Sequence, residues 1–125
     1  DTPPDLGFLL TTALVAADWF FIPVFPSGYD LRGLESLLQS ARKVRERYNP
    51  AIRLLGVSVG NTDARAKLDA DIRQELVRQF GDEYVFRTAI NRSVRHREAT
   101  VYGRTIVEHA GGHQPAEQYA ALARE

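Results

Sequence analysis

The 125-residue sequence contains no cysteine. That absence excludes a disulfide-stapled fold, a thiolate zinc site and a cysteine nucleophile, and it fits a reducing cytosol. The sequence also has no net charge, because sixteen lysines and arginines balance sixteen acidic residues. Overall charge therefore does not indicate a nucleic-acid binder, and any such site must come from a local cluster of basic residues.

Several site motifs are missing as well. No Gly-x-x-x-x-Gly-Lys-Ser/Thr phosphate loop is present, and no lysine follows a glycine anywhere. No Gly-x-Ser-x-Gly elbow of a serine hydrolase occurs. The three histidines, His96, His109 and His113, are not accompanied by the carboxylate or thiolate ligands of a zinc site, so no metal site is expected there. No segment has the pattern of an export signal.

One long apolar stretch, Leu6 to Phe25, approaches the length that spans a bilayer. Asp18 interrupts it with a charge, and Pro23 would break a helix. We therefore predict no membrane segment. The same residues are better explained by a short buried helix over Leu6–Ala17 and a strand over Trp19–Phe25 that is covered on both faces.

An amphipathic helix is predicted from Asp30 to the Asn49-Pro50 stop. Its apolar residues recur at steps of three and four: Leu31, Leu34, Leu37, Leu38, Ala41 and Val44. Four basic residues on this helix, Arg42, Lys43, Arg45 and Arg47, are balanced by Glu35 and Glu46. They indicate an ordinary solvated face.

Strands and helices alternate along the rest of the chain. The predicted order is a strand Ile52–Val59, a turn and cap at residues 60–63, a helix ended by Gly81, a strand Tyr84–Ile90, a polar arginine-rich connection, a short apolar piece Thr105–Val107 and a helix from about Pro115. This βαβ pattern predicts one α/β domain with a mostly parallel sheet and helices on both faces.

The first seven residues, DTPPDLG, resemble the DTPPSLG segment of ParA/Soj proteins, which belong to the MinD-like branch of P-loop ATPases. Further matches follow in order over nearly the whole chain: Ala13–Asp18, Ile22–Val24, Leu31 with Gly33-Leu34, Leu55–Val57, Asp63–Arg65, Phe80–Asp82, Val94-Arg95 with Glu98-Ala99, and Ala116-Glu117 with Tyr119 and Leu122-Ala123. The chain is similar to the carboxy-terminal half of this family.

The resemblance implies a partial P-loop NTPase (Rossmann-like) three-layer fold over residues 1–125. It also implies a part in plasmid or chromosome partitioning, as an ATP-switched homodimer that binds DNA non-specifically and works with a ParB-like centromere-binding protein. ATP and Mg²⁺ are the implied cofactors, and the cytoplasm, on the nucleoid, is the implied location. Because the phosphate loop is not in this sequence, the chain alone is not expected to hydrolyse ATP.

The resemblance also assigns site residues. Asp1 matches the aspartate that supports the magnesium ion beside the phosphates, a role that needs a hard oxygen ligand. Asn61, Asn91 and Arg92 match the region that binds the nucleotide base, although Asn91 stands where the family usually has proline. Asn91 is thus either a turn residue or a contact to the base.

Arg65 and Arg95 match the family's DNA-binding arginines. Independently, residues 84–105 hold five arginines, Arg87, Arg92, Arg95, Arg97 and Arg104, against the single acid Glu98. Arginines in a connecting loop can neutralise phosphates without distinguishing sequences, or they can be solvated or paired with acids.

Two further hypotheses remain open. The chain could be a non-catalytic half-domain that binds DNA or protein, or part of a related ATPase that positions another cargo. If the first half of the domain is absent, the strand Trp19–Phe25 presents an apolar edge, which would pair with a second copy or with the remainder of the protein.

Overall fold

The computed structural model describes residues 2, 7–25, 30–62 and 67–125. Its elements are α1 (Phe8–Ala16), β1 (Trp19–Val24), α2 (Asp30–Arg47), β2 (Arg53–Thr62), α3 (Lys67–Phe80), a 3-10 turn (Asp82–Tyr84), β3 (Ile90–Asn91), α4 (Val94–Val101), α5 (Ile106–Ala110) and α6 (Gln114–Leu122). The strands form a parallel sheet in the order β1-β2-β3, flanked by helices. The predicted α/β class is confirmed.

The chain divides into two compact units. The first unit comprises Asp1–Ile22 and Ser27–Gly56, and the second comprises Pro23–Pro26 and Val57–Glu125. The core of the first unit is made by α1, α2 and the residue before β2, with Leu10, Leu14, Ala41, Val44 and Ile52 buried together. The amphipathic pattern predicted for α2 is therefore the pattern that packs.

The side chain of Asn49 joins the end of α2 to the end of α1. The two N–H bonds of its Nδ2 are shared among the carbonyl oxygens of Leu14, Val15 and Ala17, which lie at 3.0, 3.1 and 2.8 Å. The last carbonyls of a helix have no partners within the helix, so this amide satisfies them from outside. Asn49, which was predicted only to end α2, thus also caps the carboxyl end of α1.

The amino-terminal apolar stretch is less buried than the sequence predicted. In β1, Ile22 and Val24 are buried, whereas Trp19 and Phe21 are 53% and 40% exposed. The prediction of cover on both faces was wrong, because alternate side chains of a strand point to opposite faces and only one face meets a core. The helix α1 is likewise one-sided, with Phe8 and Leu9 exposed opposite Leu10 and Leu14.

Within the described part of the chain, no helix combines the length and the apolar character that crossing a membrane requires. In the strand order of these residues, β1 is an end strand. That its edge pairs with another copy or another segment stays a prediction.

The second unit is centred on β2 and α3. Its buried residues include Val57 and Val59 on β2 and Ile72 and Leu76 on α3. Helix α3 ends at Gly81, whose φ of 91° is a backbone conformation that favours glycine. This helix and its end match the prediction.

The turn predicted at residues 60–63 was wrong for residues 60–62, because β2 continues through Thr62. Gly60 pairs with Ile90 and Thr62 pairs with Asn91, with an irregularity between them. The Arg92 N–H then donates to the Thr62 carbonyl at 2.8 Å. Pairing with β3 therefore extends the strand across residues whose local preference is a turn.

The strand predicted over Tyr84–Ile90 is reduced to Ile90–Asn91, after a 3-10 turn and a single bridge from Val85 to Val57. In the segment before β3, the Glu125 carboxylate accepts the N–H groups of Arg87 and Thr88 at 2.7 and 2.9 Å. Since these amides donate to a side chain, they are not available to a strand ladder.

The arginine-rich connection is also not a loop. It contains α4, which begins after Ser93, whose hydroxyl accepts from the Arg95 N–H at 3.3 Å. The apolar piece predicted at Thr105–Val107 is the start of α5, where Thr105 and Glu108 form a capping box. The last helix has Pro115 in its first turn, as predicted.

Replacing Asn49 tests the link between α1 and α2. Asn49→Ala leaves three carbonyls without their donor, so we expect the free energy of unfolding to fall by about 1–3 kcal/mol. Urea denaturation followed by circular dichroism measures it. Gln39→Ala, on the exposed face of α2, is the control and should change stability by less than about 0.5 kcal/mol. Equal effects of the two substitutions would contradict the assignment.

Candidate functional site

The three predicted base-site residues lie at the carboxyl ends of β2 and β3, where Asn61 contacts Arg92 and Asn91 contacts Thr62. Arg92 Nε donates to Asn61 Oδ1 at 3.4 Å. Thr62 Oγ1 donates to Asn91 Oδ1 at 2.7 Å. Parallel neighbouring strands end at the same edge of a sheet, which places residues some thirty positions apart within contact. Ligands of open parallel sheets bind at this kind of edge.

The backbone around Asn61 is unusual. Asn61 has a φ of 55°, in the left-handed region that asparagine tolerates better than most side chains. It sits in the irregular step between Gly60 and Thr62, and it is exposed while Thr62 is buried. The kink therefore turns the amide of Asn61 toward Arg92 at the surface and keeps the Thr62 hydroxyl inside.

The site is rich in hydrogen-bond donors. Because Asn91 Oδ1 accepts from Thr62, the Asn91 amide nitrogen is left as a donor, and Arg92 has guanidinium N–H groups beyond its Nε. No acceptor for these donors occurs among the residues that the structure describes. Donors at the rim of a sheet edge can hold the acceptor nitrogens of a purine.

Two further residues of the site are not predicted from the sequence. Gln118 on α6 accepts the Asn91 N–H through its Oε1 at 3.1 Å, and Thr62 orients the Asn91 amide. Thr62 was assigned to a turn, and only the pairing of β2 with β3 shows its role. Gln118 lies 27 residues away in sequence, so no local pattern could have found it.

The acids near the arginine cluster form hydrogen bonds to other groups. Glu98 contacts His109 Nε2 at 3.1 Å, Glu108 closes the capping box of α5, and Glu125 holds the amides before β3. In the described ranges, no arginine of residues 84–105 forms an ion pair with an acid. Arg95, half-buried, lies in the first turn of α4, and Arg97 is exposed on the same helix.

Two predicted site residues, Asp1 and Arg65, lie outside the described residues. The three histidines are placed in separate contacts: His109 stacks on Tyr102 with centroids 5.6 Å apart, His96 meets the edge of Tyr119 at 6.0 Å, and His113 precedes α6. No cluster of three metal-ligating side chains is found in the part of the chain that is described.

The carboxylate of Glu125 titrates below its usual range. The hydrogen bond from the Thr88 hydroxyl lowers its pKa most, the amides of Arg87 and Thr88 lower it further, and desolvation opposes them. Because the folded-state pKa is depressed, the contact is fully present above the ordinary pKa and is lost as pH falls through the folded value. Glu125 thus fixes the approach to β3 at neutral pH.

Comparison with known proteins gives two results. A family model described as an AAA domain matches residues 1–54. The whole chain is 40% identical to the chromosome-partitioning ATPase Soj of Thermus thermophilus, 38% to the sporulation initiation inhibitor protein Soj of Bacillus subtilis and 34% to the chromosome partitioning protein ParA of Myxococcus xanthus. It covers 50%, 49% and 44% of these proteins, so the chain spans about half the length of the curated relatives it matches.

A hydroxyl deletion tests the Glu125 contact. Thr88→Val removes the strongest hydrogen bond to the carboxylate, so the Glu125 pKa should rise toward its ordinary value. A ¹³C NMR titration of the side-chain carboxyl measures the change. Thr88→Ser keeps the hydroxyl and should keep the low pKa. If Val and Ser give the same titration curve, the hydroxyl does not set this pKa.

Proposed function

The chain is a homologue of the Soj/ParA chromosome-partitioning ATPases along all of its residues, and from this premise we propose that it forms the carboxy-terminal part of such an ATPase. One observation supports the proposal: Asn61, Asn91 and Arg92, the residues that family resemblance assigns to the base, lie at the carboxyl ends of two adjacent parallel strands. The full protein would act in partitioning as a nucleotide-switched homodimer.

In this proposal Asn61, Asn91 and Arg92 would hold the base of ATP. The donor-rich rim fits a purine, whose ring nitrogens are acceptors. When bound, ATP would supply the γ-phosphoryl group whose hydrolysis resets the switch. The role of this chain would be to orient the base. Thr62 holds the side chain of Asn91, Gln118 holds its backbone, and Asn61 contacts Arg92.

The second role is non-specific DNA binding. Arg95 in the first turn of α4, with Arg97 nearby and no paired acid in the described segments, would neutralise backbone phosphates. Phosphate contacts of this kind position a protein on DNA without distinguishing its sequence. Arg65, matched by resemblance, would belong to the same surface. A ParB-like centromere-binding protein is the proposed partner, and the nucleoid in the cytoplasm the proposed location.

Base binding is tested with the full-length protein. Arg92→Ala or Asn91→Ala should weaken the binding of a fluorescent ATP analogue by about two- to tenfold, since each removes one or two hydrogen bonds. Inorganic tripolyphosphate, which has no base, should bind the variants and the parent protein equally. Arg87→Ala, exposed before β3, is the control variant. Unchanged affinity for the analogue in both variants, with unchanged thermal unfolding, would refute the base site.

DNA binding is tested by removing single charges. Arg95→Ala should weaken binding to unrelated duplexes and make the slope of log K against log salt shallower by about 0.9 for one lost phosphate contact. Arg78→Ala removes an equal charge from α3, where Arg78 pairs with Glu75 at 3.1 Å, and should have little effect. Fluorescence anisotropy at several salt concentrations gives both quantities. The same slope in the parent protein and Arg95→Ala would exclude this arginine.

A further inference from the structure

A small depression lies in the first unit, and its lining residues are not among those assigned to nucleotide or DNA. Residues of β1, of α2 and around the start of β2 form its apolar floor. Two arginines of α2 also line it. It has a volume of about 170 Å³ and is lined by Phe20, Leu38, Ala41, Ile52, Leu54, Arg42 and Arg45. These arginines belong to the basic group that the sequence indicated to be an ordinary solvated face.

The charge at this depression is not neutralised locally. Arg42 and Arg45 are one helical turn apart and exposed, so their guanidinium groups can reach one ligand. The acids that balance them in sequence, Glu35 and Glu46, form no ion pair with either arginine within the described residues. An apolar floor beside two unpaired cations is complementary to a group that combines an apolar part with carboxylates.

The size of the depression selects among such ligands. Pockets for small molecules and cofactors usually enclose about 300–1,000 Å³. A cavity of about 150 Å³ takes a group the size of one benzene ring. The observed 170 Å³ therefore suits a single apolar side chain that is presented by a longer ligand.

We propose that this depression binds an acidic, amphipathic peptide segment of a partner protein. One leucine- or phenylalanine-sized side chain enters the floor between Leu38 and Leu54, and carboxylates on either side of it contact Arg42 and Arg45. A buried apolar anchor with charged groups at its rim is a common arrangement in interfaces between proteins. This binding does not depend on nucleotide or DNA.

The test uses the full-length protein and a fluorescein-labelled ten-residue peptide, one leucine flanked on both sides by glutamates. Arg42→Ala and Arg45→Ala should each weaken binding by about three- to tenfold. Lys43→Ala and Arg47→Ala remove the same charge from the same helix but do not line the depression, so they should change the dissociation constant by less than about twofold. Fluorescence anisotropy measures all five proteins.

Two further measurements locate the anchor and its charges. A photoreactive benzoylphenylalanine in place of the peptide's leucine should cross-link to Leu38 or Leu54. The double variant Arg42→Glu/Arg45→Glu should lose the glutamate peptide and bind one in which lysines replace the glutamates. The proposal is overturned if the pocket variants and the control variants lose the same peptide affinity, or if the cross-links form elsewhere on the protein. It is also overturned if free octanoate binds more tightly than the peptide.

Discussion

The parallel pairing of β2 with β3 is the constraint on which the rest of the second unit depends. The register that sets Thr62 opposite Asn91 lets the Thr62 hydroxyl donate to the Asn91 amide and lets the Arg92 N–H donate to the Thr62 carbonyl. Without this register the three base-site residues would sit on separate turns. Gln118 holds the backbone of the two-residue β3, and Glu125 holds the segment before it.

The last helix and the residues after it therefore have a role in the site, although none of them was expected there. Gln118 holds the backbone of Asn91, and Glu125 holds the backbone of Arg87 and Thr88. Side-chain carboxylates and amides that accept backbone N–H groups take the place of a strand partner, at a modest net gain for each hydrogen bond. The segment before β3 is thus shaped by contacts from the end of the chain.

A chain with no net charge can still present basic surfaces where its arginines cluster. Glu98, Glu108 and Glu125 form hydrogen bonds to His109, Thr105 and the amides before β3, and none of them forms an ion pair with an arginine of residues 84–105 within the described residues. The proposed DNA surface lies on α4, and the proposed peptide surface lies on α2. Both are local excesses of arginine that a count over the whole chain conceals.

The sequence by itself determined the α/β class, the amphipathic helices α2 and α3, the glycine that ends α3 and the family to which the chain is homologous. These features depend on local periodicity and on chain order, which a sequence contains directly. It did not reveal that Thr62 extends a strand, that the arginine-rich connection forms α4, or that Gln118 reaches Asn91. The strand extension at Thr62 and the Gln118 contact depend on partners 29 and 27 residues away, and α4 begins at the Ser93 cap. Contacts between distant residues exist only once the strands have paired, and so only the tertiary structure could decide them.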